Sequence, residues 1–245
     1  MAIKLKHAFR THLVLTCFAL ASTQMVWAQN DGKIRLRNDC AKGGIVKLDK
    51  TPNQPESPQK KTQHVGGLSI SSSSDILNTK SVDVNGSVNM NAGKSITNGS
   101  LTVPASIKAS SSVTFNAPTI HNSGTISAGS GNVNISTSNL INSGSITAKS
   151  GDVNISNHSA NSLFINNANG SITGKTVTFT VNDSDKSKNS LDQSGSIKVN
   201  GGTISGETIN IGGNDTNVNV NADTIDGKLN VPASSAVVRS NHRSK

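Results

Sequence analysis

The sequence predicts an all-β fold, a parallel β-solenoid of about eight short coils, on three observations. Apolar residues alternate with polar ones in many brief runs, one 20-residue segment repeats in tandem, and glycine and asparagine fill the spaces between runs. Val82 and Val84, Val88 and Met90, Leu101 and Val103, Val113 and Phe115, Val133 and Ile135, and Val153 and Ile155 each bracket one polar residue. The same holds for Val177 and Phe179, Ile197 and Val199, Ile209 and Ile211, Val218 and Val220, and Leu229 and Val231. Successive side chains of a strand point to opposite faces, so this spacing buries one face and leaves the other in water. Isoleucines preceded by Ser or Thr, such as Ile96, Ile126, Ile146, Ile172 and Ile204, fall between these pairs.

The repeat sets the architecture. Asn122 to Ile141 (NSGTISAGSGNVNISTSNLI) matches Asn142 to Asn161 (NSGSITAKSGDVNISNHSAN) at 11 of 20 positions. A second echo pairs Gly99 to Ser106 (GSLTVPAS) with Gly227 to Ser234 (GKLNVPAS), identical at six of eight, and its offset suits whole coils between equivalent points. A unit of this length cannot bury its apolar face alone, so neighbours must stack. If each unit is one coil, like strands lie parallel about 4.8 Å apart, and the valines and isoleucines form columns inside. Val133 then lies over Val153, Ile135 over Ile155 and Ile126 over Ile146. Asparagine at equivalent corners, such as Asn122 over Asn142, is placed to form a side-chain ladder. The alternative is a β-sandwich, for which Asn85-Gly86, Asn98-Gly99, Asn169-Gly170 and Asn200-Gly201 would be hairpin turns.

The elements follow in order. Residues 1–28 read as a signal peptide: Lys4, Lys6 and Arg10 precede the uncharged run Leu13 to Ala21, and the segment ends on Val26 and Ala28, which suits cleavage before Gln29. Leu13 to Ala21 is half the length a membrane span needs, about 18 residues. Cys17 goes with the signal, which leaves Cys40 as the one mature cysteine, so no intramolecular disulfide is expected. Residues 29–65 read as a basic, proline-containing linker or N-terminal cap. Pro52, Pro55 and Pro58 oppose regular structure, while Ile34, Leu36, Ile45, Val46 and Leu48 suit one or two strands. Residues 66–238 are the solenoid, and 239–245 a basic tail with Arg239, Arg243 and Lys245.

Charge excludes one class of partner. The formal net charge is +9, but the body from Gly66 to Val238 holds nine lysines, no arginine and ten acidic residues, so the excess sits at the ends. A nucleic-acid face would interleave basic and aromatic side chains, whereas the body has only Phe115, Phe164 and Phe179. No nucleic-acid partner is expected.

The run from Asn122 to Ile135, with its second copy from Asn142 to Ile155, resembles the repeats of filamentous haemagglutinin-type exoproteins, in which N-x-G-x-I-x-A followed by G-[DN]-V-x-I marks a coil. The resemblance implies a right-handed parallel β-helix and a secreted or surface-associated adhesin-like module. It also implies partners such as a host-surface or extracellular glycan or protein, and an outer-membrane transporter for export.

Chemistry-bearing motifs do not assemble. Gly93-Lys94-Ser95 and Gly174-Lys175-Thr176 lack the earlier glycine of a phosphate loop, since Val88 and Asn169 stand there. Gly212-Gly213-Asn214-Asp215 is a single copy of a pattern that binds calcium only in tandem. His64, His121, His158 and His242 lie far apart in sequence, so no metal motif forms. Glycosidase chemistry needs paired carboxylates about 5 to 9.5 Å apart. Asp183 and Asp185 fall in the lysine-rich polar insertion Asn182 to Gln193, and Asp223, Asp226 and the one glutamate, Glu207, stand alone. We therefore expect no catalytic, cofactor-binding or metal residues, and no enzyme. The expected function is an exported structural or adhesive module, on the cell surface, secreted or periplasmic. The alternatives are a polysaccharide-binding or polysaccharide-degrading β-helix, a degenerate exoprotein fragment, and an ice-binding solenoid, the last motivated by Thr176, Thr178 and Thr180.

Overall fold

The computed structural model describes residues 67–243 apart from 101, 103, 104, 160, 183–194 and 214, together with three short strands nearer the N-terminus. Those are β1 (Leu15–Phe18), β2 (Ile34–Leu36) and β3 (Ile45–Leu48). The rest of the predicted signal and linker, Cys40, most of the polar insertion, and Leu101 with Val103 lie outside the described residues.

From Leu68 on the chain is a β-solenoid with three faces of stacked parallel strands, and no helix occurs among the described residues. The first face stacks β4 (Leu68–Ser72), β7 (Val88–Ala92), β10 (Val113–Asn116), β13 (Val133–Ser136), β16 (Val153–Ser156) and β19 (Thr176–Thr180). The second stacks β5 (Asp75–Asn78), β8 (Ser95–Asn98), β11 (Thr119–Asn122), β14 (Asn139–Asn142), β17 (Ser162–Asn166) and β20 (Gly195–Asn200). The third stacks β6 (Ser81–Val84), β9 (Ser106–Ala109), β12 (Thr125–Ala128), β15 (Ser145–Ala148) and β18 (Ser171–Thr173). The last strands, β21 (Thr203–Ile211), β22 (Thr216–Asn230) and β23 (Ser235–Arg243), run through corners and serve two or three faces each. Seven complete coils result, about 34 Å of stacked strands at 4.8 Å per coil. An eighth begins at Lys228.

Every pairing from Leu68 onward is parallel, which removes the β-sandwich alternative. The Asn-Gly pairs are coil corners: Gly86, Gly99 and Gly201 have φ of 152°, 80° and 69°, and Asn169 has φ 62°. These are backbone conformations that a side chain disfavours, and they turn the chain sharply between faces. Below the composition boundary at Gly66 the stack continues, with Ile34 opposite Leu68 and Val46 opposite Ile76. At the other end β23 enters the segment read as a basic tail, pairing Arg239 with Asn221, because an open strand edge accepts any main chain whatever its side chains.

The expected columns are present. Val133 pairs with Val153, Ile135 with Ile155, and Ile126 with Ile146. All six side chains are at most 2% exposed. Burying each stabilises the coil by about 1.5–3 kcal/mol. One expectation fails. Gly99 follows a second-face strand and stacks on Asn78, whereas Gly227 follows third-face residues and stacks on Gly206, so the GSLTVPAS and GKLNVPAS segments occupy different corners.

A column of asparagines runs inside the corner after the second face. Asn78 donates to Asn98 at 2.7 Å, Asn98 to Asn122 at 2.8 Å, Asn122 to Asn142 at 2.8 Å, and Asn142 to Asn167 at 2.6 Å. Each is at most 1% exposed. Their Nδ2 atoms also donate to main-chain carbonyls of the next coil, such as Thr125, Ser145, Ser171 and Thr203. A buried amide is tolerated only when satisfied, and here each coil satisfies the one below. Insertions enter only at corners: the ladder steps are 20, 24, 20 and 25 residues, yet the flanking strands keep their register. A one-residue slip within a strand would turn its valines to water.

Candidate recognition faces

Two columns of outward residues run along the first face. One runs Ser69, Asn89, Thr114, Asn134, Asn154, Thr178, Asn210 and Asn230; the other runs Ser71, Asn91, Asn116, Ser136, Ser156 and Thr180. None is charged. Neighbours in a column stand about 4.8 Å apart, and the two columns about 6.6 Å apart along the strand. Amides within a column join in pairs: Asn116 donates to Asn91 at 2.9 Å, Asn154 to Asn134 at 3.0 Å, and Asn230 to Asn210 at 2.9 Å. Each amide keeps further donor and acceptor capacity, since a carboxamide has two N–H bonds and two lone pairs. These two columns are therefore an uncharged hydrogen-bonding array, beside which Thr176, Thr208 and Lys228 stack on the same face and put a lysine at its far end.

The third face is a hydroxyl surface over four coils. Thr125, Ser145 and Thr147, Ser171 and Thr173, and Thr203 and Ser205 point outward in register, while Ser127 in the same array is buried. Asp83 and Lys108 bound this grid at one end and Asp226 at the other. The second face is mixed, with Asp75, His121, Ile141, Phe164 and Lys198 outward, and the Lys198 ammonium lies 5.7 Å from the Phe164 ring centre. Burial opposes ionisation of Asp75. The Ser95 and Ser74 hydroxyls at 2.6 and 2.7 Å, with Lys94 nearby, outweigh it and hold the carboxyl below its ordinary value.

The motifs weighed in the sequence have structural employment. The main-chain amides of Gly93 and Lys94 bond to Ser72 and Ser74 of the coil below, and that of Lys175 bonds to Gly151, so both lysine triplets are stacked corners. Gly212 (φ 127°) and Asp215 (φ 58°) turn another corner. Asp223 accepts from the Gly202 amide at 2.7 Å, and Asp226 from the Ser205 hydroxyl at 3.4 Å. His121 faces outward on the second face, while His158 sits at a corner with Nδ1 2.8 Å from Asn116 Oδ1. No three His, Cys, Asp or Glu side chains converge among the described residues. Asp183 and Asp185 lie outside them. Thr176, Thr178 and Thr180 belong to the first face, where Thr178 stacks between Asn154 and Asn210, so that run does not nucleate a threonine array.

Neither outward surface stands out in the sequence alone, although its residues recur at fixed places in the strands. The residue between the apolar pair of each first-face strand is Ser69, Asn89, Thr114, Asn134, Asn154, Thr178, Asn210 or Asn230, and on the third face a hydroxyl stands on both sides of each isoleucine from Ile126 to Ile204. No family model, curated protein or solved structure matches the chain.

Proposed function

We propose that this protein is an exported, non-catalytic adhesive module of the haemagglutinin type, and that its first face binds an extended extracellular glycan. The observation that carries the reading is the pair of uncharged Asn, Ser and Thr columns from Ser69 to Asn230. A polysaccharide presents hydroxyls at a regular repeat, and a rigid lattice of amides and hydroxyls meets it without paying to order its own side chains. The basic signal-like N-terminus and the repeat resemblance support export to the surface or medium. The test is retention of the purified protein on insoluble polysaccharides and on host cells, with wild type set against Asn134→Lys and Asn154→Lys. Retention lost in the lysine variants supports the reading, and equal retention of all three proteins, or none by wild type, defeats it.

A second reading rests on the third face. Seven accessible hydroxyls in two columns over four coils match a ligand that repeats in two directions, such as an ice surface, better than a single polymer chain. Thermal hysteresis of the protein and of Thr147→Lys tests it: activity in the first and loss in the second are expected if the grid binds ice.

A further inference from the structure

We propose, resting on the glycan reading of the first face, that its ligand is a stack of N-acetylated sugar chains, of which the β-1,4-linked polymer of N-acetylglucosamine is the simplest. The solenoid axis lies across the polymer chains, and asparagine rungs meet acetamido groups one for one. Charge narrows the choice first. The two outward columns from Ser69 to Asn230 are uncharged, so they hold no counter-charge for uronate or sulfate groups and none for free amines. Lys228 stands in the flanking column, at its far end. The complement of such an array is a neutral polymer.

Hydrogen bonding narrows it further. The columns carry the carboxamides of Asn89, Asn91, Asn116, Asn134, Asn154, Asn210 and Asn230. Asn89, Asn91 and Asn230 are exposed, and the others are partly buried. Three pairs occupy consecutive coils, and in each the later amide donates to the earlier: Asn116 to Asn91, Asn154 to Asn134, and Asn230 to Asn210. Such a bond takes one N–H of the first amide and one lone pair of the second, out of two of each per carboxamide. Each pair therefore retains donor and acceptor capacity on two rungs about 4.8 Å apart. A sugar hydroxyl is served by one rung, and serine or threonine would serve it as well. A secondary amide is different: its trans geometry points N–H and C=O in opposite directions, toward two successive rungs.

Spacing selects the stacked form of the polymer. Acetamido groups of neighbouring chains join through the same N–H···O=C bond that separates β-strands, so they repeat at about the same 4.8 Å. Within one β-1,4-linked chain successive sugars are turned over, which sends alternate acetamido groups to opposite sides. A lone chain thus cannot follow consecutive rungs, whereas a stack of chains presents one acetamido group to each. Every contact is weak by itself, and the rigid stack makes the later ones intramolecular once the first has formed.

The test is co-sedimentation of the protein with chitin powder, with cellulose, which has the same linkage but a hydroxyl in place of each acetamido group, and with insoluble xylan and mannan. We expect affinity for chitin at least about tenfold above that for cellulose, and at least about tenfold lower chitin affinity when Asn134→Thr and Asn154→Thr are combined, the factor that one or two lost hydrogen bonds carry. Threonine already fills this column at Thr114 and Thr178, so the double variant should keep the fold, which a circular dichroism melt verifies. Soluble N-acetylglucosamine oligomers should compete poorly. The proposal is overturned by equal affinity for chitin and cellulose, by preference for xylan or mannan, by undiminished chitin binding in the folded threonine variant, or by efficient competition from the soluble oligomers. Any of these leaves the glycan reading standing where Asn134→Lys still releases the protein, while no retention on any of the four polymers defeats both.

Discussion

Replacing Asn122 by leucine removes one rung of the buried ladder at nearly constant volume. Its Nδ2 donates to Asn142 Oδ1, to the Gly124 carbonyl and to the Ser145 carbonyl, and its Oδ1 accepts from Asn98 Nδ2 and the Gly124 amide. Asn98 Nδ2 retains the Thr125 carbonyl at 3.1 Å, so it stays satisfied. Asn142 Oδ1 loses its ladder donor and the Gly124 amide its side-chain acceptor, in a site where neither Asn122 nor Asn142 is more than 1% exposed. Each orphaned group costs about 1–3 kcal/mol, so the two cost about 2–6 kcal/mol, of which apolar leucine recovers a part. At about 2–4 °C per kcal/mol for a chain of this size, the melting temperature falls by several degrees or more. The control is Asn134→Leu on the first face, where water replaces the lost contact to Asn154 and the cost is about 0.5 kcal/mol or less. Circular dichroism melts of wild type and both variants read the difference. Equal losses in the two variants would refute the claim that the ladder is a dry, interlocked column.

Other outcomes follow from the same geometry. Ile135→Asp places an unpaired charge in the first-face column and should cost several kcal/mol, against about 0.5 kcal/mol or less for Asn134→Asp, both read by urea unfolding. A Cβ at Gly144 would collide with the Gly124 main chain, so Gly144→Ala should lower the melting temperature, whereas Gly213→Ala makes ordinary contacts with the Thr216 hydroxyl at 3.4 Å and the Val181 carbonyl at 4.0 Å and leaves it little changed. Because the folded Asp75 carboxyl titrates below its ordinary 3.8, it adds stability above that value, and this is lost as pH falls through the folded value. Asp75→Asn should therefore flatten the acid limb of the stability profile, seen by melts across that range. Asn134→Lys and Asn154→Lys should release the protein from an immobilised glycan without lowering its melting temperature appreciably.

The sequence by itself determined the class of fold and much of its register. Inward residues recur at a spacing that only a strand satisfies, and the tandem copy from Asn122 to Asn161 matches so closely that Val133, Ile135 and Ile126 could be assigned their partners in the next coil. The Asn122–Asn142 contact was legible for the same reason. Beyond that copy, identity between coils fades and corner insertions change the spacing, so the full ladder from Asn78 to Asn167 and the extra coils at both ends became visible only once strands were paired. The echo at Gly99 and Gly227 misled because the same eight-residue pattern serves two different corners. The recognition faces are a tertiary property as well. Each strand offers one or two outward polar residues, unremarkable in a line of sequence, and only parallel stacking at fixed register sets Asn89, Asn134, Asn154 and Asn210 in a single column, because the register that buries the valines also decides what the opposite side of each strand presents.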